Sequence, residues 1–216
     1  MKKPFLKVAL IPAVVLLAFA SGCNLVDSPG ANLDTDASLV LQEEFCVQFN
    51  EYRTTSDFTD DASTLYATQI LAWLEDNNVN LDEICSIFQS GGRIVLAEPY
   101  SGHPWDITSK IHVMRTDIYD EFHPYLRPQT VTLPGDIAGD GYVPSFHYRG
   151  VRKINRALED LIDGGMPTLS FVCWFTKVDP EPSVVDPLVF SWDACITVTV
   201  VVGDGDCGDD DDDDDY

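Results

Sequence analysis

The run from Leu188 to Val202 constrains the fold of this chain more than any other segment. Leu188, Phe190, Trp192, Ala194, Ile196, Val198 and Val200 alternate with Ser191, Asp193, Thr197 and Thr199. An extended chain points successive side chains to opposite faces, so a period of two marks a strand with one face in a core. A weaker version of the pattern opens the body of the chain. Leu39, Leu41, Phe45, Val47 and Phe49 alternate with Gln42, Glu44, Gln48 and Asn50, and Glu43 alone interrupts the apolar face. A helix is the competing reading there, because Leu41, Phe45 and Phe49 also lie four apart.

Further strands are predicted at Arg93–Ala97, Ile107–Ile118, Gln129–Leu133 and Thr168–Val178. Pro180, Pro182 and Pro187 mark a connection ahead of the last strand. Three helices are read between the strands. The first starts at the caps Asp60-Asp61-Ala62-Ser63 and carries Leu65, Ile70, Leu71, Trp73 and Leu74 to Asn77-Asn78. The second, Leu81–Ser90, places Ile84, Ile87 and Phe88 on one side and stops at Gly91-Gly92. The third, Val151–Ile162, buries Val151, Ile154, Leu158, Leu161 and Ile162 and ends at Gly164-Gly165. Helices that interrupt strands without alternating with them disfavour a parallel sheet. The predicted fold is α+β and mainly β. It is an antiparallel sheet or β-sandwich with two or three short helices in the connections, forming a single domain over residues 38–203.

The N-terminal end reads as an address. Lys2, Lys3 and Lys7 precede a stretch from Val8 to Ala20 that is wholly apolar or proline. That stretch is short for a membrane span, which needs about 20 apolar residues. It is followed by Ala20-Ser21-Gly22-Cys23. Small residues before a cysteine at this place resemble the lipobox of bacterial lipoproteins; the departure is Ala20, where that family usually has Leu. The resemblance implies a signal peptide over residues 1–22 and a diacylglyceryl group on the Cys23 thiol. It further implies cleavage before Cys23 and an exported protein anchored by lipid to the cell envelope, at the outer membrane. Several acyl chains on one residue anchor stably where one is marginal. Residues 23–37 are polar, with Pro29 and Gly30, and read as a flexible tether. Residues 204–216 lack apolar side chains until Tyr216 and read as a disordered acidic tail.

The chain carries 36 acids against 13 Lys and Arg, for a formal charge of −23. Such a surface repels nucleic acid and favours cations and basic protein surfaces as partners. Solubility or adaptation to salt explains it without any specific ligand. The six cysteines include Cys23 and leave five others, none spaced as C-x-x-C. An odd number leaves one outside any intramolecular bridge, and Cys207 in the tail is the one chosen. A hairpin of the last two strands folded around Val184 would place Cys173 opposite Cys195, and export favours bridging. The face pattern argues the other way. Cys173 shares a side with Leu169, Phe171 and Phe175, whereas Cys195 shares one with Asp193, Thr197 and Thr199.

No nucleophile elbow, H-E-x-x-H, P-loop or G-x-G-x-x-G is present, and no catalytic residue is assigned. Calcium is the one cofactor considered. Asp136 and Asp140 occupy the first and fifth places of an EF-hand-like loop with Gly141 at the sixth, while Ala138 and His147 fail at the third and twelfth. The aspartate run Asp209–Asp215 would hold cations loosely through charge density. His103, His112, His123 and His147, with Asp106 or Asp117, are residue types that hold a transition metal, but none stand at ligand spacing and they read as surface residues. Paired carboxylates abound, and Glu43 is notable as the acid on an apolar strand face. Trp105 and Tyr100, in a loop region, are the candidate binding surface; Trp105 as a cap on the sheet core is the alternative. The function read from these features is a non-enzymatic, lipid-anchored binding or structural module. The alternative is a surface hydrolase acting on polysaccharide with dispersed carboxylates and histidines.

Overall fold

The structure, a computed structural model, describes residues 39–55 and 61–203. The signal segment, Cys23, the tether, Asp60, Cys207 and the acidic tail lie outside the described residues. The elements run β1 (Leu39–Arg53), β2 (Asp61–Tyr66), α1 (Ala67–Asp76), a 3-10 turn (Leu81–Glu83), β3 (Ile84–Leu96), β4 (Trp105–Arg115), β5 (His123–Leu133), α2 (Tyr148–Ile162), β6 (Thr168–Asp179) and β7 (Leu188–Val202). They form two antiparallel sheets, ordered β1-β7-β3 and β2-β6-β4-β5. The fold is therefore mainly β and sandwich-like, with two α-helices in the connections.

The alternation in β7 has its cause in this arrangement. Leu188, Phe190, Trp192, Ala194, Ile196, Val198 and Val200 all turn inward and are buried. Across the sandwich Phe190 stacks on Phe175 of β6 at 6.3 Å. Full burial of each of the larger aliphatic side chains and of Phe190 contributes about 1.5–3 kcal/mol. As the central strand of its sheet, β7 is also covered on its outer face. Gln42 Nε2 donates to Thr199 Oγ1 at 2.9 Å, and that hydroxyl donates to Ser90 Oγ at 2.7 Å, so a polar ladder crosses β1, β7 and β3.

Three expectations are corrected. Residues 81–90 are not a helix: after the 3-10 turn they enter β3, paired with β7. The helix-like spacing of Ile84 and Ile87 arises from a bulge. Register shifts between Ile84 and Ser86 and between Gln89 and Gly91 insert an extra residue each time, which turns a period of two into one of three. Gly91-Gly92 lies within the strand. A Cβ on Gly92 would stand 2.3 Å from the Cys195 carbonyl oxygen, so that glycine permits a close strand approach. The first helix likewise begins later than its apparent caps. Asp61–Tyr66 is an edge strand on β6, and α1 starts at Ala67, where the Gln69 side chain accepts from the Tyr66 N–H at 2.9 Å.

The third correction concerns the cysteines. β6 and β7 follow one another in sequence but lie in different sheets, so Cys173 and Cys195 are not joined. Cys195 is disulfide-bonded to Cys46, its direct register partner on β1. Both lie on the outer face of their sheet, whereas Cys173 points into the core with Phe171 and Phe175. The parity of the faces thus decides against the hairpin pairing. Cys85 is disulfide-bonded as well.

Helix α2 keeps its expected place and stripe, with Ile154, Leu158 and Leu161 buried. Gly150 lets it press on β5, since a Cβ there would meet the Tyr125 Cα at 2.5 Å. Asn155 Oδ1 accepts from the Gln89 N–H at 2.9 Å and ties the helix to β3. At the far end of β4 the Arg115 guanidinium is held by Asp117 and Asp160, which draws α2 onto the second sheet.

Candidate functional site

The inward phase of β1 does not stop at Phe49. Glu51 and Arg53 continue it and are buried, with 4 % and 6 % of their surfaces exposed. Two charges on an apolar face must satisfy one another. Arg53 Nε donates to Glu51 Oε2 at 2.9 Å, and the guanidinium lies 4.4 Å over the Phe175 ring. Glu51 Oε1 and the indole Nε1 of Trp192 are both sealed from solvent without a close hydrogen bond to any other group, and the indole is near enough to Glu51 to favour its carboxylate form. Burial raises the Glu51 pKa above the ordinary carboxyl value. Arg53 opposes that rise, Asp61 adds to it, and the Trp192 indole favours the charged form slightly.

On the opposite face of β1 from that carboxyl, the strand at Glu51 borders a cleft of about 610 Å³ where β1 ends and β7 begins. Asn50 and Tyr52 of β1, Val189 to Ser191 of β7, the β3–β4 loop from Glu98 to His103, and Asp186 with Pro187 complete the walls. The β3–β4 loop is braced from within. Trp105 Nε1 donates to Tyr100 Oη at 2.6 Å, and that hydroxyl donates to the His103 carbonyl at 3.1 Å. Gly102 makes room for this fold-back: a Cβ there would stand 2.1 Å from Tyr100 Oη. The His103 ring packs 4.2 Å from Trp105. Its Nε2 meets Asp186 Oδ2 at 2.9 Å and its Nδ1 meets the Pro104 carbonyl at 2.9 Å. Acceptors at both nitrogens favour the imidazolium, so the His103 pKa is raised, first by the Pro104 carbonyl and then by Asp186. The His103–Asp186 contact ties the β3–β4 loop to the β6–β7 connection.

Two exposed carboxylates, Glu98 and Asp186, line the cleft, with His103 beside Asp186; among the described residues no lysine or arginine lines it. Such a wall accepts hydrogen bonds and attracts positive charge.

The residues singled out from the sequence fall in several places. Tyr100 lines the cleft, whereas Trp105 is 1 % exposed and supports the loop from the core side, which corrects its reading as an exposed platform. Glu43 keeps the inward phase of β1 but is exposed. Asp106 accepts from Thr132 Oγ1 at 2.7 Å, and neither it nor Glu43 lines the cleft. In the proposed calcium loop, Asp136 Oδ2 accepts from the Thr132 N–H at 2.6 Å, and Asp140 offers its carbonyl to Arg93 Nη1 at 3.0 Å. Asp136 and Asp140 thus serve the loop and its neighbours, and no third metal-ligating side chain gathers with them among the described residues. His112 rests edge-on against Trp174, with burial depressing its pKa. His123 stands 3.7 Å from Asp120, and His147 caps α2 by accepting from the Arg149 N–H. One trio does converge among the described residues: potential ligand atoms of Glu44, Cys46 and Cys195 lie within 4.8 Å of each other. Its sulfurs are oxidised to a disulfide and supply no thiolate.

Glu51 was legible in part. It stands two places beyond Phe49 in the same alternation, and the expected strand simply ended too early to include it. A comparison of the chain with protein-family models finds no match, and a comparison with curated proteins finds none either.

Proposed function

We propose that this is an exported, lipid-anchored binding module of the cell envelope that takes a small polar ligand in the cleft between the end of β1 and the β3–β4 loop. Cys23 is the anchor in this reading, the membrane is its partner through lipid, and the cleft faces outward for cations or basic protein surfaces. One observation carries the choice. The cleft of about 610 Å³ has walls from three separate stretches of chain that bring the exposed carboxylates of Glu98 and Asp186 together with Tyr52, Tyr100 and His103. That is the size and mixed apolar and polar character of a ligand pocket.

A surface hydrolase acting on polysaccharide is the second reading. It is favoured by the carboxyl groups of Glu98 and Asp186 in the cleft walls, since glycoside hydrolysis pairs a protonated carboxyl with an ionised one. Titration of the purified protein with neutral oligosaccharides, short peptides and diamines, followed by two-dimensional NMR, tests the cleft. Shifts gathered on Tyr52, Tyr100 and His103 support it, and release of shortened sugars would select the hydrolase. Shifts confined to other surfaces, or none with any compound, overturn both.

A further inference from the structure

We infer that Cys85 forms its disulfide with Cys207 and so ties the root of the acidic tail to the start of β3, which replaces the expectation that Cys207 stands outside any bridge. Cys85 is disulfide-bonded, and the chain holds five other cysteines. Cys46 and Cys195 are joined to each other. Cys173 is a buried thiol in the second sheet, level with Asp61 of β2 and Ile111 of β4, whereas β3 is an edge of the first sheet. Stacked sheets stand about 10 Å apart, beyond the Cα separation of about 4.4–6.8 Å that a disulfide allows. Cys23 and Cys207 remain. At this step the inference rests on the lipid-anchored reading, in which the Cys23 thiol is acylated.

The backbone favours Cys207 independently. β7 ends at Val202 opposite Ile84, and the Gly203 N–H donates to the Glu83 carbonyl at 3.0 Å. The chain is thus held two residues from Cys85 at one side and four from Cys207 at the other. Four residues span up to about 14 Å, enough to turn back along β3. Cys23 is a full tether away from Leu39, and Leu39 pairs with Val202 on the side of β7 remote from β3. Crossing two strand spacings adds about 10 Å, and the longer loop costs more entropy to close. The register of β3 makes Cys85 available. Ile84 pairs with Val202 and Ser86 with Val201, so Cys85 is the extra residue of the bulge, and it is half-exposed. A bulge re-aims a side chain that a regular strand would commit to one face.

Closing the bridge takes two protons and two electrons from the two thiols. A disulfide-bearing oxidase of the export compartment accepts them by thiol exchange and is left as a dithiol. The run Asp209–Asp215 begins two residues beyond Cys207, so the bridge roots this cation-attracting segment beside the 3-10 turn that carries Asp82 and Glu83. A single proteolytic cut between Gly203 and Cys207 then leaves the acidic run attached to the body.

The full chain, expressed with its export signal and purified without reductant, provides the test. It is alkylated, digested with a protease that cuts before aspartate, and mapped by mass spectrometry. Cuts before Asp193, Asp204 and Asp206 separate Cys195 from Cys207. A linked pair of peptides carrying Cys85 and Cys207 is expected, parted by reductant. The N-terminal peptide in the same digest reads the acylation of Cys23 separately. Cys85 linked to another cysteine, linked to a second chain, or alkylated overturns the inference. Linkage to Cys23 overturns lipidation there as well, whereas any other partner beside an acylated Cys23 leaves the anchor reading standing. A Cys85–Cys207 pair beside an unacylated Cys23 supports the bridge and overturns the anchor. Two variants approach the bridge from its two ends. Cys207→Ser should open the Cys85 thiol to alkylation in the denatured protein, and Cys85→Ser should open that of Cys207. A thiol that stays unreactive in its variant has another partner, which overturns the pairing.

Discussion

Glu44 on β1 and Arg93 on β3 join hands across the central strand β7, directly over the Cys46–Cys195 disulfide. Arg93 Nε donates to Glu44 Oε1 at 2.8 Å and Nη2 donates to Oε2 at 2.6 Å. The Glu44 carboxylate comes within 4.8 Å of both sulfurs. The outer face of the first sheet is thereby closed by a covalent link between two strands and an ion pair that reaches the third.

The disulfide leads to the first prediction. It spans 149 residues of sequence, so it removes much of the freedom of the unfolded chain. The double variant Cys46→Ala, Cys195→Ala should lose about 2–5 kcal/mol in urea unfolding. Peptide mapping of the unreduced protein should recover Cys195 linked to Cys46. A fragment joining Cys195 to Cys173 would refute the pairing of β1 with β7.

The buried pair gives the second. Arg53→Met leaves Glu51 buried without its counter-charge and should cost about 3–5 kcal/mol at neutral pH, measured by urea unfolding. The sign of the pH effect follows from the raised Glu51 pKa. Its stabilising contribution is fully present below the ordinary carboxyl value and is lost as pH rises through the higher folded value. The loss in Arg53→Met should therefore shrink on acidification, as Glu51 takes up its proton. A loss that is constant from pH 4 to pH 8 would show that Arg53 acts through packing alone.

His103 gives the third. Its imidazole should titrate above the ordinary histidine value of 6.5 when followed by NMR. Asp186→Asn should bring it part of the way down and leave the share due to the Pro104 carbonyl. The bridge between the two cleft loops is stabilising below the ordinary value and fades as pH rises through the raised one. An unshifted His103 that does not respond to Asp186→Asn would mean that the two loops are not tied in solution.

The fourth prediction concerns the anchor. Cys23→Ser should move the protein from the membrane fraction to the soluble fraction, because no thiol remains to carry lipid. Membrane partitioning identical to that of the parent would rule out lipidation at Cys23.

Alternation alone identified β7, most of β1 and β6, and the apolar stripe identified α2, because in each the side chains facing the core repeat at the period of a regular backbone. The same logic placed Cys173 and Cys195 on faces of different character, which is a property of each strand by itself. It misread residues 84–90, where bulges at β3 change the spacing, and it ended β1 before Glu51 and Arg53, whose charges disguise an inward phase. Which strand lies beside which is a separate matter. β7 could pair with β6 or with β1 on its pattern alone, and only packing of the two sheets sets it between β1 and β3, bringing Cys195 to Cys46. The cleft was out of reach for the same reason. Tyr52, His103 and Asp186 come from three distant stretches that meet only because β1 and β7 are antiparallel neighbours with the β3–β4 loop folded over their ends. Local periodicity determines the face a side chain takes; the burial of one whole apolar surface against another determines its neighbours.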